Sequence, residues 1–331
     1  MSATTVSHAL SGKGRVDAET RRRVRTVADR LGYVPSRAAR SLALGRSDTI
    51  GLLLPSLAHM PLDELMRTDW YGRAVAAASS AALQHGRALA VLPALRSAGD
   101  LEAFGLEGVI VLDPVDDDPR LEMLRGSRAR VVLLGHGSAN DPFSFVAPDI
   151  GAGISELLGH LWEQGARSVA VIETDLEWRQ GQEAVDSYRT WCRAHRIRPR
   201  VVTGAVGHLT TRDSIAASGQ AAAERLLTRG ARPDAIVGLL EDFGRGIVAA
   251  ARKSGLSVPE DLLVAQDIDG MVAQVNEPPI TALDLNVNEL LAAAVGLVVA
   301  REATGSLIVP VSLNKRRSTE GPRRQEGRTP G

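Results

Sequence analysis

Ten basic side chains crowd the first 46 residues: Lys13, Arg15, Arg21, Arg22, Arg23, Arg25, Arg30, Arg37, Arg40 and Arg46, against Asp17, Glu19 and Asp29. A segment of net +7 suits a polyanion, because each phosphate it neutralises releases a counterion. Leu313–Gly331 adds +4, so Ser47–Ser312 carries −11, although the 331-residue chain sums to +0. The balanced total therefore conceals a basic head on an acidic body. The competing reading is a solvated surface in an Arg-heavy chain, which has 36 Arg to 3 Lys.

Residues arranged for catalysis are sparse. Gly151-Ala-Gly153 is followed by Glu156 where a dinucleotide fingerprint needs Gly, and Gly12-Lys13 lacks the rest of a phosphate loop. The seven His form no i, i+4 metal pair, and no Gly-x-Ser-x-Gly elbow occurs. The single cysteine, Cys192, excludes internal disulfides and multi-cysteine metal sites, and beside Trp191 on an apolar-patterned helix it reads as core. In a chain with 3% aromatic residues, the adjacent Trp70 and Tyr71 stand out. An aromatic face with polar neighbours suits a sugar or purine, and core packing is the alternative.

The elements that must position these residues are legible from periodicity. Unalternated apolar runs at Ile50–Pro55, Ala88–Pro93, Val109–Asp113, Val131–Gly135, Val169–Glu173, Ala235–Leu240 and Leu262–Ala265 fit strands buried on both faces. Between them, Asp69–Gln84, Ile150–Glu163, Glu183–His195, Ser214–Thr228, Arg245–Lys253 and Asn288–Glu302 have helical period. Asp149 and Asp213 are expected helix N-caps, and Gly86, Gly165, Gly230 and Gly255 expected stops. Alternation of this kind predicts an α/β body with parallel sheets, and around ten strands favour two sheets with a cleft between them. The N-terminal segment instead predicts three short helices, Ala3–Leu10, Asp17–Leu31 and Ser36–Leu44, broken at Tyr33-Val34-Pro35. Small basic helices joined to a large α/β body make a DNA-reader layout.

Met1-Ser-Ala-Thr-Thr-Val-Ser-His-Ala-Leu-Ser-Gly12, Val16-Asp-Ala-Glu-Thr-Arg-Arg-Arg-Val24, Leu31-Gly-Tyr-Val-Pro-Ser-Arg-Ala-Ala-Arg-Ser-Leu42 and Gly45-Arg-Ser-Asp-Thr-Ile-Gly51 strongly resemble the lactose-repressor (LacI/GalR) family of transcription regulators. Val146-Ala-Pro-Asp149, Gly255-Leu-Ser-Val-Pro-Glu-Asp261 and Pro278-Pro-Ile-Thr281 extend the resemblance over almost the whole chain. It implies a helix-turn-helix head, a hinge helix, and a two-lobed periplasmic-binding-protein-like body whose chain crosses between lobes three times. The expected divisions are 1–34 for a partial head, 35–46 for hinge helix and linker, and 47–318 for the body. The lobes are expected at roughly 47–146 with 278–305 and 147–277 with 306–318, with 319–331 a disordered tail. Met1 falls where the family usually has Val in a Gly-Val-Ser turn, so the first helix of the motif is missing and the true start is expected about 10–20 residues upstream.

The resemblance assigns Ala3, Thr4 and His8 to base edges and Ser2, Thr5 and Ser7 to phosphates, with Arg15 also serving phosphates. Leu42 occupies the family's minor-groove wedge position, and Arg37 and Arg40 would flank that groove. The implied effector lining is Trp70, Tyr71, Asp149, Trp178, Arg179, Glu241 and Asp269. Departures matter here. The family's Arg-x-x-Gly-Phe reads Ala184-Val-Asp-Ser187-Tyr188, which loses a bidentate anchor that Arg179 could replace. Its Asn-Asp reads Leu240-Glu241, and its Gly-Phe-Asp-Asp reads Gln266-Asp267-Ile268-Asp269.

The resulting expectation is a DNA-binding regulator, a repressor, controlled by a small molecule, sugar or nucleoside-like, held between the lobes. Its partners are a pseudo-palindromic double-stranded operator and a second copy of the chain, since one recognition helix reads one half-site. The alternative is a solute-binding protein that has lost DNA binding. No cofactor, metal or enzymatic activity is expected. With no apolar run of spanning length and no secretory signal, the expected location is the cytoplasm.

Overall fold

Strand-forming Val, Ile and Leu runs in this chain have apolar side chains pointing both ways, so each must be covered on both faces. In the computed structural model all five residues of β3 (Gly108–Leu112) are buried. The structure describes residues 2–11, 16–33, 48–55, 60–92, 95, 97–115, 117–127, 129–137, 141–176, 178–206, 211–228, 230–300 and 305–321. The head comprises α1 (Ala3–Ser11) and α2 (Ala18–Arg30), the latter capped by the Asp17 carboxylate accepting from the Thr20 N–H at 2.8 Å. Ala9, Val24 and Ala28 are buried between them. The expected hinge helix, with Arg37, Arg40 and Leu42, and Arg15 lie outside the described residues.

Among the described residues, the body contains two six-stranded sheets. The first, all parallel, runs β11 (Leu307–Val309), β5 (Ser144–Pro148), β4 (Arg130–Leu134), β3, β1 (Thr49–Leu53) and β2 (Ala88–Leu92). Helices α3 (Leu62–Arg67), α4 (Asp69–Gln84), α5 (Ala98–Phe104), α6 (Pro119–Arg125) and α12 (Val287–Val299) belong to this lobe. The second runs β12 (Ser312–Asn314), β10 (Thr281–Asp284), β9 (Leu263–Gln266), β8 (Ala235–Gly238), β6 (Val169–Thr174) and β7 (Val201–Gly204), parallel except for β12. Helices α7 (Ile150–Glu163), α8 (Arg179–His195), α9 (Arg212–Thr228), α10 (Phe243–Lys253) and α11 (Met271–Val275) belong to this lobe. Helices α9 and α10 pack so closely that a Cβ on Gly246 would collide with the Ala216 carbonyl. The expected α/β class with parallel sheets and helical cover is thus what the chain adopts.

Three segments join the lobes: Asp149 after β5, Leu285–Asn286 after β10, and Pro310–Val311 after β11. These differ from the expected boundaries at 147, 278 and 306. Strand β10 pairs in the second sheet and β11 in the first, because pairing partner, which local periodicity does not encode, decides lobe membership. The first two crossings leave the C-terminal ends of β5 and β10, so the cleft borders the strand C-termini, where ligands bind in open α/β sheets. Two local expectations are corrected as well. Thr211, not Asp213, caps α9, its Oγ1 accepting from the Ser214 N–H at 3.2 Å. Order also continues past the expected start of the tail at 319: Ser318 and Thr319 are fully buried, Thr319 meeting His160 at 2.8 Å.

Candidate DNA-contacting head and interlobe cleft

On α1, Ser2 uses its Oγ to accept from the Thr5 N–H at 3.1 Å and to meet the Thr5 hydroxyl at 2.8 Å. Two of the residues expected at phosphates, Ser2 and Thr5, therefore also close the helix N-terminus. Its free N–H groups and partial positive charge suit an anion. Thr4 and His8 are exposed on the same helix. Ala3 and Ser7 lie in α1, their side chains outside the described set. An apolar groove of about 620 Å³ runs between the two helices, lined by Val6, Leu10, Val24, Val27, Leu31 and Tyr33.

In the cleft, the sequence places an aromatic pair at the start of α4, and the fold buries both rings. The Trp70 Nε1–H and the Tyr71 hydroxyl donate to the same oxygen, Asp113 Oδ2, at 3.3 and 2.7 Å. Asp113 follows β3 in a left-handed conformation (φ 45°), which Asp tolerates better than most residues. Burial pushes its carboxyl above the usual carboxylate range and raises the Tyr71 hydroxyl still further from ionisation. The polar edges of the two aromatic residues are thus directed at the protein's own carboxylate.

The second lobe grips the same helix start. Glu241 Oε1 and Oε2 accept from the Asp69 and Trp70 N–H groups at 2.9 and 3.0 Å, satisfying two donors that an α-helix leaves without intrahelical partners. Burial and the neighbouring Asp242 charge lift the Glu241 carboxyl to about 7. Asp69 accepts from the Met271 N–H, Arg73 donates to the Asp269 carbonyl at 3.2 Å, and Arg212 donates to the Arg67 carbonyl at 3.2 Å. Asp242, with φ 70° and almost fully buried, holds Arg212 at 2.8 Å and Arg245 at 3.0 Å. The bonds made by Glu241, Asp69, Arg73 and the Arg212–Arg67 pair tie the lobes together through charged groups on backbone.

Of the other expected lining residues, Asp269 Oδ2 accepts from Asn314 at 2.7 Å and Arg316 at 2.6 Å, while its buried Oδ1 has no protein partner. Asp149 caps α7 through the Ala152 N–H at 3.0 Å. Trp178 precedes α8, its ring against Gly181, its backbone bridging Val115 of the first lobe, and its buried Nε1 without a protein partner. Arg179 opens α8. One turn later Glu183 reaches His136 of the first lobe at 3.4 Å.

The fold thus brings Trp70, Tyr71, Glu241 and Asp269 around one helix terminus and keeps Asp149 as a cap. Sequence reading missed Asp113, Arg212, Asp242, Asp267 and the His136–Glu183 pair. Asp113 and Asp267 directly follow strands β3 and β9, and that strand-end position is a signal that could have found them. Buried Asp267, whose Oδ1 has no protein partner, is pushed up to about 8 by burial and by Glu241. Arg212 gives no local signal, because only the tertiary fold brings it to Asp242. Among the described residues there is no His, Cys, Asp and Glu group that could hold a metal ion. Among the same described residues, no helix is long and apolar enough to cross a membrane.

Comparison with known proteins agrees with this geometry. Residues 1–36 match the model of bacterial regulatory proteins of the lacI family, and residues 158–319 match a periplasmic binding protein-like domain. The HTH-type transcriptional regulator CelR of Thermobifida fusca is 29% identical over 318 residues, covering 93% of this chain and 90% of that protein. Catabolite control protein A of Staphylococcus xylosus is 24% identical over 289 residues, covering 86% and 83%. Among solved structures, a CelR–cellobiose complex superposes with TM-score 0.70 at 26% identity, covering 96% of each chain. The lac repressor dimer bound to operator and an anti-inducer superposes with TM-score 0.79 at 23% identity, covering 97% of this chain and 96% of that one. The chain is thus similar to the lacI family of bacterial regulatory proteins in its head and to periplasmic binding protein-like domains in its body.

Proposed function

We propose that this chain is a sequence-specific DNA-binding transcriptional regulator, acting as a repressor, whose operator affinity is set by a small molecule bound between the two lobes. The observation that carries the reading is the pairing of a basic helical head with a cleft clamped on α4. The head recognises DNA with α1 in the major groove, Thr4 and His8 facing base edges and Ser2 and Thr5 at the phosphates. Leu42 wedges the minor groove, which Arg37 and Arg40 flank, and Arg15 adds a phosphate contact. A two-fold homodimer presents two such heads to a pseudo-palindrome.

The cleft supplies the control. An effector, a sugar or nucleoside-like compound, enters against Trp70, Tyr71, Trp178 and Arg179. It competes for the carboxylates of Glu241 and Asp269. Because Glu241 holds the N-terminus of a first-lobe helix, a ligand that recruits its carboxylate changes how the lobes sit, and the head follows through the start of β1. Only a ligand with different affinities for the two lobe arrangements can shift operator binding. CelR, a similar protein solved as a cellobiose complex, is the precedent for a carbohydrate effector. The protein acts in the cytoplasm, without catalysis. Fluorescence anisotropy of the full chain on duplexes tiled upstream of its own gene tests the reading. Saturable binding at one site, released by a cleft ligand, is expected; uniform weak binding to every duplex would overturn it.

A further inference from the structure

The second lobe has a concave surface remote from the cleft. Five arginines, Arg167, Arg196, Arg198, Arg200 and Arg225, line a cavity of about 780 Å³ with no carboxylate among its lining residues. Three of them are oriented by backbone rather than by acidic partners. Arg167 donates to the Trp162 and Ala166 carbonyls at 2.9 and 3.0 Å and lies 4.0 Å over the Trp162 ring. Arg200 donates to the Ala231 carbonyl and Arg225 to the Thr203 carbonyl, each at 2.6 Å. A guanidinium has five N–H donors, so these bonds leave most of the hydrogen-bonding capacity unspent.

The obvious structural role for these arginines is to complement helix C-termini, because α8 and α9 both end here. Two such termini supply only about one negative charge together. Asp234, accepting from the Arg167 and Ser168 N–H groups at 2.7 and 2.9 Å, supplies another beside the cavity. Roughly three positive charges therefore remain without a partner. Ile197, Pro199 and Leu226 add an apolar wall. The volume falls within the range of small-molecule sites, and arginine forks match phosphate oxygens bidentately.

From this arrangement we propose that the outer end of the second lobe is an unassigned binding site for a phosphorylated small metabolite, its phosphates on the arginines and its organic body on the apolar wall. The site lies at the strand-start edge of the second sheet. The head joins at the start of β1 in the other lobe, so operator phosphates are not its ligand. Helices α8 and α9 begin at the cleft, at Arg179 and Arg212, and end at this cavity, so the two sites share rigid elements.

Titration calorimetry of the full chain with inorganic pyrophosphate and with ADP tests the proposal. Arg196→Gly suits the left-handed backbone at that position (φ 57°). Together with Arg198→Ser it removes two charges and spares the guanidinium–carbonyl bonds of the other three arginines. Saturable binding of both probes is expected, with ADP the tighter. The double variant should bind about tenfold or more weakly, while Arg189→Ala, outside the cavity, binds as the parent does. The proposal is overturned if neither probe saturates, if ADP binds no tighter than pyrophosphate, or if the double variant keeps the parent affinity with an unchanged circular-dichroism melt.

Discussion

Glu241 and Trp70 lie 171 positions apart in sequence, yet the Glu241 carboxylate accepts the Trp70 backbone N–H at 3.0 Å across the interlobe cleft. A residue of one lobe thereby serves as the N-terminal anchor for a helix of the other. Glu241→Ala leaves two buried donors, the N–H groups of Asp69 and Trp70, without an acceptor and is expected to cost about 2 kcal/mol. Glu241→Gln keeps one acceptor and removes repulsion with Asp242 and Asp267, so its cost should be smaller. Urea denaturation of the two variants checks this order; Gln as costly as Ala would contradict it.

Stability should fall as pH rises from about 5 to about 8. Glu241 and Asp267 have folded-state values raised to about 7 and about 8, and Asp113 is raised as well. In that window the folded chain holds protons the unfolded chain has released, so each group's stabilising contribution is lost as it ionises in place. His160, lowered by burial, acts in the opposite sense over the lower part of the window. Three acids against one imidazole leave the net slope negative. Asp267→Asn should flatten the slope and raise the melting temperature above pH 7.5 more than at pH 5.5. Differential scanning fluorimetry across this range reads both effects, and an unaltered slope in the variant refutes the assignment to Asp267.

Tyr71 and Asp113 should prove energetically coupled. Tyr71→Phe removes the 2.7 Å bond and leaves Asp113 Oδ2 with the Trp70 indole alone. Each single variant is expected to destabilise by roughly 1–3 kcal/mol, and the double variant by clearly less than their sum. A double-mutant cycle in urea measures the coupling; strict additivity would mean the bond contributes nothing.

His8→Ala and Leu42→Ala should weaken operator binding without moving the body's melting transition. His8 is exposed on α1 and outside the body. Loss of a base contact is expected to cost about 1–3 kcal/mol, and the parent's affinity should fall steeply with salt. Parallel anisotropy and calorimetric melts separate the effects. Equal losses in both for Leu42→Ala would assign that leucine to the fold.

Much of this architecture is legible in the sequence because core strands here are unbroken apolar runs and the main helices carry a clear period. Helices Asp69–Gln84 and Ile150–Glu163 have those same limits in the structure. The strands Ser144–Pro148, Val201–Gly204, Thr281–Asp284, Leu307–Val309 and Ser312–Asn314 escaped because none carries an unbroken apolar run of four residues. Lobe boundaries were misplaced for a related reason: β10 looks the same whichever sheet it joins. Site residues on element starts, such as Trp70 and Tyr71, could be singled out by type. Their common partner Asp113 could not, since the bond spans 42 positions and depends on where β3 ends beside α4.

The central claim is specific DNA recognition under cleft control, and nuclease footprinting of the full chain on the region upstream of its own gene tests it most directly. The account predicts protection of a pseudo-palindrome at physiological ionic strength, with two half-sites related by the protein's two-fold axis. It also predicts that His8→Ala and Leu42→Ala weaken this protection while leaving the body folded. Protection that is absent, or equally strong in both variants, would contradict it.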